Sequence, residues 1–172
     1  FEALREQAAG RLERCEAEGD EDGAAFCAGA ILCCDAVRHW AGRYATRARE
    51  LAADEGDGAR RAELLAIARR CEHAPYHPPR DFREAVQAVW FTEAAAVLAH
   101  GMTGIFATGR LDLILWPWYE RDLAEGRLTR DEARELLCEL LVKLSSNLQL
   151  LPIVGKATGS ELGADSMAVT VG

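Results

Sequence analysis

Arg110 and Asp112 stand one residue apart at the head of "ATGRLDLILWPWYERDL" (residues 107–123), a run that also holds Trp116, Pro117, Trp118 and Tyr119. A guanidinium beside a carboxylate could be a catalytic ion pair, the aromatic run could stack a ligand, or the stretch could be the start of a buried helix. Residues two apart on a helix do not face each other, which excludes an intrahelical ion pair. The two side chains are therefore expected to tie the loop and the next helix N-terminus to different neighbours. Just upstream, Gly101, Gly104 and Gly109 could bring backbone close to a ligand, or simply turn one helix into the next.

No other residues make a complete site. His39, His73, His77 and His100 are scattered, none beside a Ser, Cys or Asp at a nucleophile-and-base spacing. The six cysteines (Cys15, Cys27, Cys33, Cys34, Cys71, Cys138) form no C-x-x-C pair and have no His at ligand spacing, so buried thiols are expected and no metal site. Cys33 and Cys34 are adjacent, but neighbouring helical positions point about 100° apart, which makes them ordinary helix residues. There is no P-loop, no G-x-S-x-G and no dinucleotide-binding glycine pattern.

Composition narrows the partners. A net charge of −8 argues against a nucleic-acid backbone, which calls for clustered Lys and Arg. No apolar run approaches the roughly 18 residues of a membrane span, and Phe1 opens a charged helical pattern rather than a signal peptide. With 49% hydrophobic and 28% charged residues, the 172-residue chain reads as a soluble cytoplasmic globular unit, and nothing in it demands two domains.

The elements that must position these residues are helices. Residues 1–18 are amphipathic, and "EGDEDG" (18–23) separates them from a long helix expected from about Ala24 to Ala53. A third helix places Leu64, Ile67, Ala68 and Cys71 on one face and stops before "PYHPPRD" (75–81). Asp81 with Glu84 should cap a fourth helix that runs to His100, apolar on most faces and hence central. A fifth starts near Gly109 and carries through to Glu125, and the Thr129–Glu132 capping box opens a sixth. Beyond Leu150 the chain turns glycine-rich, and "SMAVTVG" (166–172) predicts a short β-strand whose abrupt end suggests a cut chain.

By itself this pattern names no activity, but the order of segments resembles the pyruvate formate-lyase domain of glycyl radical enzymes, in the branch of glycerol dehydratase and choline-cleaving lyase. The residues that carry it are "CDAVRHWAGRYATRARELA" (34–52), "RRAELLAIARRCEHAPYHPPRDFREAVQAVWF" (60–91), "GRLDLILWPWYERDLAEGRLTRDEARELLCELLVKL" (109–144) and "AVTVG" (168–172). The resemblance implies a mostly α chain, residues 1–172 forming part of the helical shell around an α/β barrel, with the short β-strand at its C-terminal end. It implies radical chemistry on a small-molecule substrate, in which a glycyl radical oxidises a cysteine to a thiyl radical that abstracts hydrogen. The glycyl radical would be installed by an activating enzyme carrying S-adenosylmethionine and an iron–sulfur cluster, so no cofactor is expected to bind here, and a homodimer is implied.

The match also has gaps. The family's Gly-Cys motif and C-terminal radical glycine have no counterpart in these residues, so the chain is expected to be a fragment, inactive alone, with no catalytic residue of its own. A helical module that kept the shell and lost the chemistry is the alternative. What carries over is a pocket wall at Gly104, Ile105 and Phe106, with Arg110 and Asp112 supporting the loop. Diol-dehydrating relatives place a substrate-contacting serine at the position of Ile105, and "GMTG" (101–104) replaces their Glu-Asn-Gly-His. An apolar side chain cannot hydrogen-bond a hydroxyl, so a less polar substrate is expected.

Overall fold

The computed structural model describes residues 1–100 and 108–145, and every element among them is an α-helix. These are α1 (Glu2–Glu18), α2 (Glu21–Asp54), α3 (Gly58–His73), α4 (Phe82–His100), α5 (Leu111–Ala124) and α6 (Arg130–Ser145). The expected β-strand at 166–172 lies outside the described residues. No helix among the described residues is long and apolar enough to cross a membrane. The chain forms two compact units, with the boundary between Pro79 and Arg80, inside the proline turn that stops α3.

In the first unit α2 packs against both α1 and α3. Its buried residues, Cys27, Cys34, Ala41, Ala45, Ala48 and Ala52, recur at steps of seven, four and three, which is one stripe of a helix. Small side chains on that stripe let helix axes approach closely. Ion pairs brace the exposed flanks: Arg5 Nε donates to Asp35 Oδ1 at 2.7 Å, and Arg49 grips both oxygens of Glu72.

The second helix starts at Glu21, three residues before the expected Ala24. Asp20 is the N-cap, its carboxylate accepting from the Gly23 N–H at 3.0 Å, and Glu21 and Asp22 in the first turn suit the positive end of the helix. The break between the two helices falls within the acidic run as expected, at Gly19, whose φ of +71° closes α1 in the left-handed region that favours glycine, and the rest of the run opens α2. Two further expectations fail on the surface. Ile67 is exposed while Leu64, Ala68 and Cys71 are buried, and Cys33 and Cys138 are exposed while the other four cysteines are buried. Position 67 lies at the edge of the α3 stripe, and Cys33 is rotated off the α2 stripe that buries Cys34.

A glycine sits where α1 and α2 meet. A Cβ on Gly23 would lie 2.8 Å from the Cys15 sulfur and would also collide with the Asp20 carboxylate that caps the helix. Alanine gains about 1 kcal/mol of helix propensity there, but overpacking against a fully buried thiol costs about 1–3 kcal/mol. Gly23→Ala is therefore expected to lower stability in urea denaturation, and a rise in the midpoint would show that the α1–α2 turn is looser than its geometry.

In the second unit, Asp81 caps α4 as expected, accepting from the Glu84 N–H at 2.8 Å. The Glu84 carboxylate, 1% exposed, turns back to accept from the Arg80 N–H at 2.7 Å and from the Arg80 guanidinium. Thr129 and Glu132 form the reciprocal capping box, Glu132 N–H to Thr129 Oγ1 at 3.2 Å and Thr129 N–H to Glu132 Oε2 at 2.8 Å. Between α4, α5 and α6 lies a core of Phe82, Ala85, Val86, Leu111, Leu115, Leu128, Ala133, Leu140 and Leu144.

One buried carboxylate knots this unit together. Asp122, 2% exposed, accepts from the Phe82 N–H at 2.7 Å, from Arg127 Nη2 at 2.6 Å and from Arg121 at 3.2 Å. Burial works to raise its pKa, but the hydrogen bonds from Arg127, the Phe82 N–H and Arg121 outweigh it and the carboxyl is held below its ordinary range. Its backbone carbonyl accepts from the N–H groups of Arg127 and Leu128, closing the turn into α6.

Candidate functional site

The site foreseen from the sequence is the segment between α4 and α5 together with the head of α5. Gly104, Ile105 and Phe106 lie outside the described residues. The supports, Arg110 and Asp112, are described, and they correct the expectation that they reach different neighbours. Arg110 Nε donates to Asp112 Oδ1 at 2.8 Å and Nη2 to Oδ2 at 2.6 Å, a two-pronged ion pair. The argument from helix spacing fails because Arg110 is not helical. It is the N-cap of α5, with φ −75° and ψ 80°, so its long side chain folds over the first turn onto Asp112. Hydrogen bonding to Asp112 raises the Arg110 pKa further, and Asp112 also suits the positive end of the helix.

Gly109 makes that entry possible. Its φ of +71° is left-handed, and its carbonyl accepts from the Leu111 N–H at 2.9 Å. A Cβ would meet nothing nearby, so the strain of alanine at this position is conformational alone. Gly109→Ala is expected to cost about 1 kcal/mol, read as a small drop in denaturation midpoint. No change in midpoint would mean that the turn relaxes to negative φ without loss.

The aromatic run divides. Trp118 and Tyr119 are half-buried against the core, Tyr119 edge-on to Phe82 with centroids 5.9 Å apart and Trp118 beneath the Arg121 guanidinium at 4.9 Å. Trp116 is 54% exposed and leans on Tyr119. With Leu115, Leu137, Cys138 and Leu141 it lines an apolar groove of about 450 Å³ between α5 and α6. Pro117, inside α5, is exposed and removes one backbone donor.

His73, His77, Cys34 and Cys71 have structural surroundings. His73 Nε2 lies 2.8 Å from the Pro78 carbonyl, and His77 stacks on His73 and pairs with Glu2 at 2.9 Å. Cys34, matched by resemblance to a structural cysteine, is buried, and burial pushes the Cys71 thiol up to about 11, far from a reactive thiolate. Among the described residues no group of three His, Cys, Asp or Glu gathers where it could hold a metal ion.

Sequence reasoning missed two residues. Glu93 on α4 is 8% exposed and Thr108 just ahead of Gly109 is 9% exposed; Glu93 Oε2 and Thr108 Oγ1 have no hydrogen-bond partner among the described residues. Burial raises the Glu93 pKa. A signal was available: Glu93 interrupts the apolar side of α4 formed by Val86, Val89, Trp90 and Val97.

Comparison with known proteins fixes the family. The pyruvate formate lyase-like family matches residues 1–172. Isethionate sulfite-lyase of Nitratidesulfovibrio vulgaris is 42% identical over 142 residues, 83% of this chain and 17% of the relative. A solved structure for 1,2-propanediol dehydration in Roseburia inulinivorans superposes with a TM-score of 0.75 at 41% identity, over 83% of this chain and 17% of that one. A glycyl radical enzyme from Archaeoglobus fulgidus gives a TM-score of 0.74 at 35% identity, over 81% of this chain and 18% of that one. The chain thus spans about a sixth of the length of the relatives it matches. It belongs to the pyruvate formate lyase-like family of glycyl radical enzymes.

Proposed function

We propose that these residues are the N-terminal-side part of a glycyl radical lyase or dehydratase that acts on a small organic substrate. The observation that carries the reading is the family match over the whole chain, with relatives above 40% identity named for sulfite release from isethionate and for dehydration of 1,2-propanediol. In this reading the six helices belong to the shell of an α/β barrel. The glycyl radical, installed on another part of the polypeptide by an activating enzyme carrying S-adenosylmethionine and an iron–sulfur cluster, would supply a thiyl radical that abstracts hydrogen from the substrate. The polypeptide would work as a cytoplasmic homodimer. The role of residues 1–172 is to enclose and orient, keeping water and oxidants from a reactive intermediate.

The substrate is taken to be less polar than glycerol, because Ile105 and Phe106 occupy the pocket-wall positions and Ile105 cannot donate a hydrogen bond. The test has two stages. The coding sequence past Gly172 is read for a Gly-Cys motif and a C-terminal radical glycine; a stop codon would leave a non-catalytic helical module. The extended polypeptide is then activated anaerobically, with electron paramagnetic resonance for the radical and turnover measured on glycerol and 1,2-propanediol. Fast glycerol dehydration would overturn the substrate assignment while leaving the enzyme class standing.

A further inference from the structure

The outward face of α2 is sorted by charge. Opposite the buried stripe of that helix, Asp22, Ala25, Leu32, Ala36, Arg43 and Arg47 follow one another at steps of three, seven, four, seven and four, and all six are exposed. At the N-terminal end stand the exposed acids Glu16, Glu18, Asp20, Glu21 and Asp22. Toward the other end Arg38, His39, Arg43 and Arg47 line an open groove of about 760 Å³, a cationic patch in a chain of net charge −8. Asp35 and Glu50 also line it, but Arg5 holds Asp35 at 2.7 Å and Arg47 holds Glu50 at 3.0 Å, while Arg43 forms no ion pair among the described residues. Between the two ends, residues 23–34 carry no charge, and Phe26 and Leu32 are 78% and 69% exposed.

A single small anion does not account for this layout, because Arg38 and Arg47 lie about 13 Å apart along the helix axis. A row of carboxylates does, and the chain has one in its own acidic turn. That turn cannot reach the groove of the same copy, since Asp22 and Arg43 stand about 31 Å apart on one rigid helix. A second copy laid parallel would set acids on acids. We infer that the outward face of α2 seats a second copy of this chain, antiparallel, so that Asp22 of each copy meets Arg43 of the other. The two-fold axis then passes between Leu32 and Cys33, Gly29 faces Ala36, and the charge pair is made twice, as a self-complementary interface requires. The inference gives the homodimer of the proposed function its surface and rests on that reading.

The test uses the intact polypeptide that carries these residues, without activation, and reads the dimer dissociation constant by sedimentation equilibrium. The parent is expected to dimerise, and more weakly as salt rises. Asp22→Arg and Arg43→Glu are each expected to weaken the dimer at least tenfold, and the double variant, with the charges exchanged, to return within threefold of the parent. Leu32→Glu, beside the two-fold axis, is a second route to the same tenfold loss, and thermal melting of each variant confirms that it is folded. A monomeric parent would overturn the inference. So would single variants that dimerise like the parent, the result expected if the rest of the polypeptide covers α2 and the dimer forms elsewhere, or a double variant as weak as the singles. Radical formation is measured separately by electron paramagnetic resonance. A dimer built through α2 that forms no radical removes the enzymatic reading alone, and a monomer that forms one removes the dimer and leaves the enzyme class standing.

Discussion

Phe82→Ala is expected to destabilise the unit that begins at Arg80 by about 3 kcal/mol, within the range for deleting a buried phenylalanine ring. The ring is 1% exposed, lies at the meeting point of α4, α5 and α6, and contacts the edge of Tyr119. Its removal strips Leu111, Leu115 and Ala133 of packing that their backbones cannot restore. Because Phe82 also lines the apolar groove, the void opens toward solvent, which keeps the loss toward the lower end. Trp116→Ala is the matched control: a side chain more than half exposed is expected to cost less than about 1 kcal/mol. Urea denaturation of both variants separates a packing role for the aromatic run from a surface one. Equal losses would mean that Trp116 is as much a part of the core as Phe82.

Asp122→Ala is expected to lower stability by about 2–3 kcal/mol. Breaking a fully buried ion pair costs about 3–5 kcal/mol, but Arg121 and Arg127 are 39% and 48% exposed and can rehydrate. The larger share of the loss comes from the Phe82 N–H, an unpaired donor at the start of α4 once the carboxylate is gone. Asp122→Asn keeps an acceptor for that N–H and is expected to lose about half as much. The pH dependence has a definite sign. The folded-state pKa is lowered, so the stability from Asp122 is present in full above its unfolded value of about 3.9 and is lost as pH falls through the depressed folded value. Acid titration of the parent against Asp122→Asn should therefore show curves that run parallel at neutral pH and converge below about pH 4. Curves that remain parallel down to pH 2 would exclude an ionised Asp122 as the knot.

Helix existence was legible because it is a local matter. Asp81 with Glu84 and Thr129 with Glu132 are caps written within four residues, and the prolines at 75, 78 and 79 forbid a helix by covalent geometry. The acidic run at 18–23 separates α1 from α2 as its composition implies, but α2 starts three residues earlier than expected, because Asp20 is an N-cap and negative charge in a first turn favours the helix. Arg110 and Asp112 show the limit of periodicity, since facing rules hold only once both residues are known to be helical, and Arg110 lies one residue outside.

The sequence by itself determined the helical class, the order of elements and, through four blocks in register, the glycyl radical family. All of these rest on spacing within short segments, where chemistry and backbone geometry are read directly. Only the tertiary structure decided that Asp122 is the buried knot, since its partner Phe82 lies 40 residues away, and that Cys33 and Cys138 are exposed while Cys34 is not. It alone marked Glu93 Oε2 and Thr108 Oγ1 as buried atoms without hydrogen-bond partners among the described residues. Burial and satisfaction of a polar group depend on what other helices bring to it, and no window of neighbouring residues contains that information.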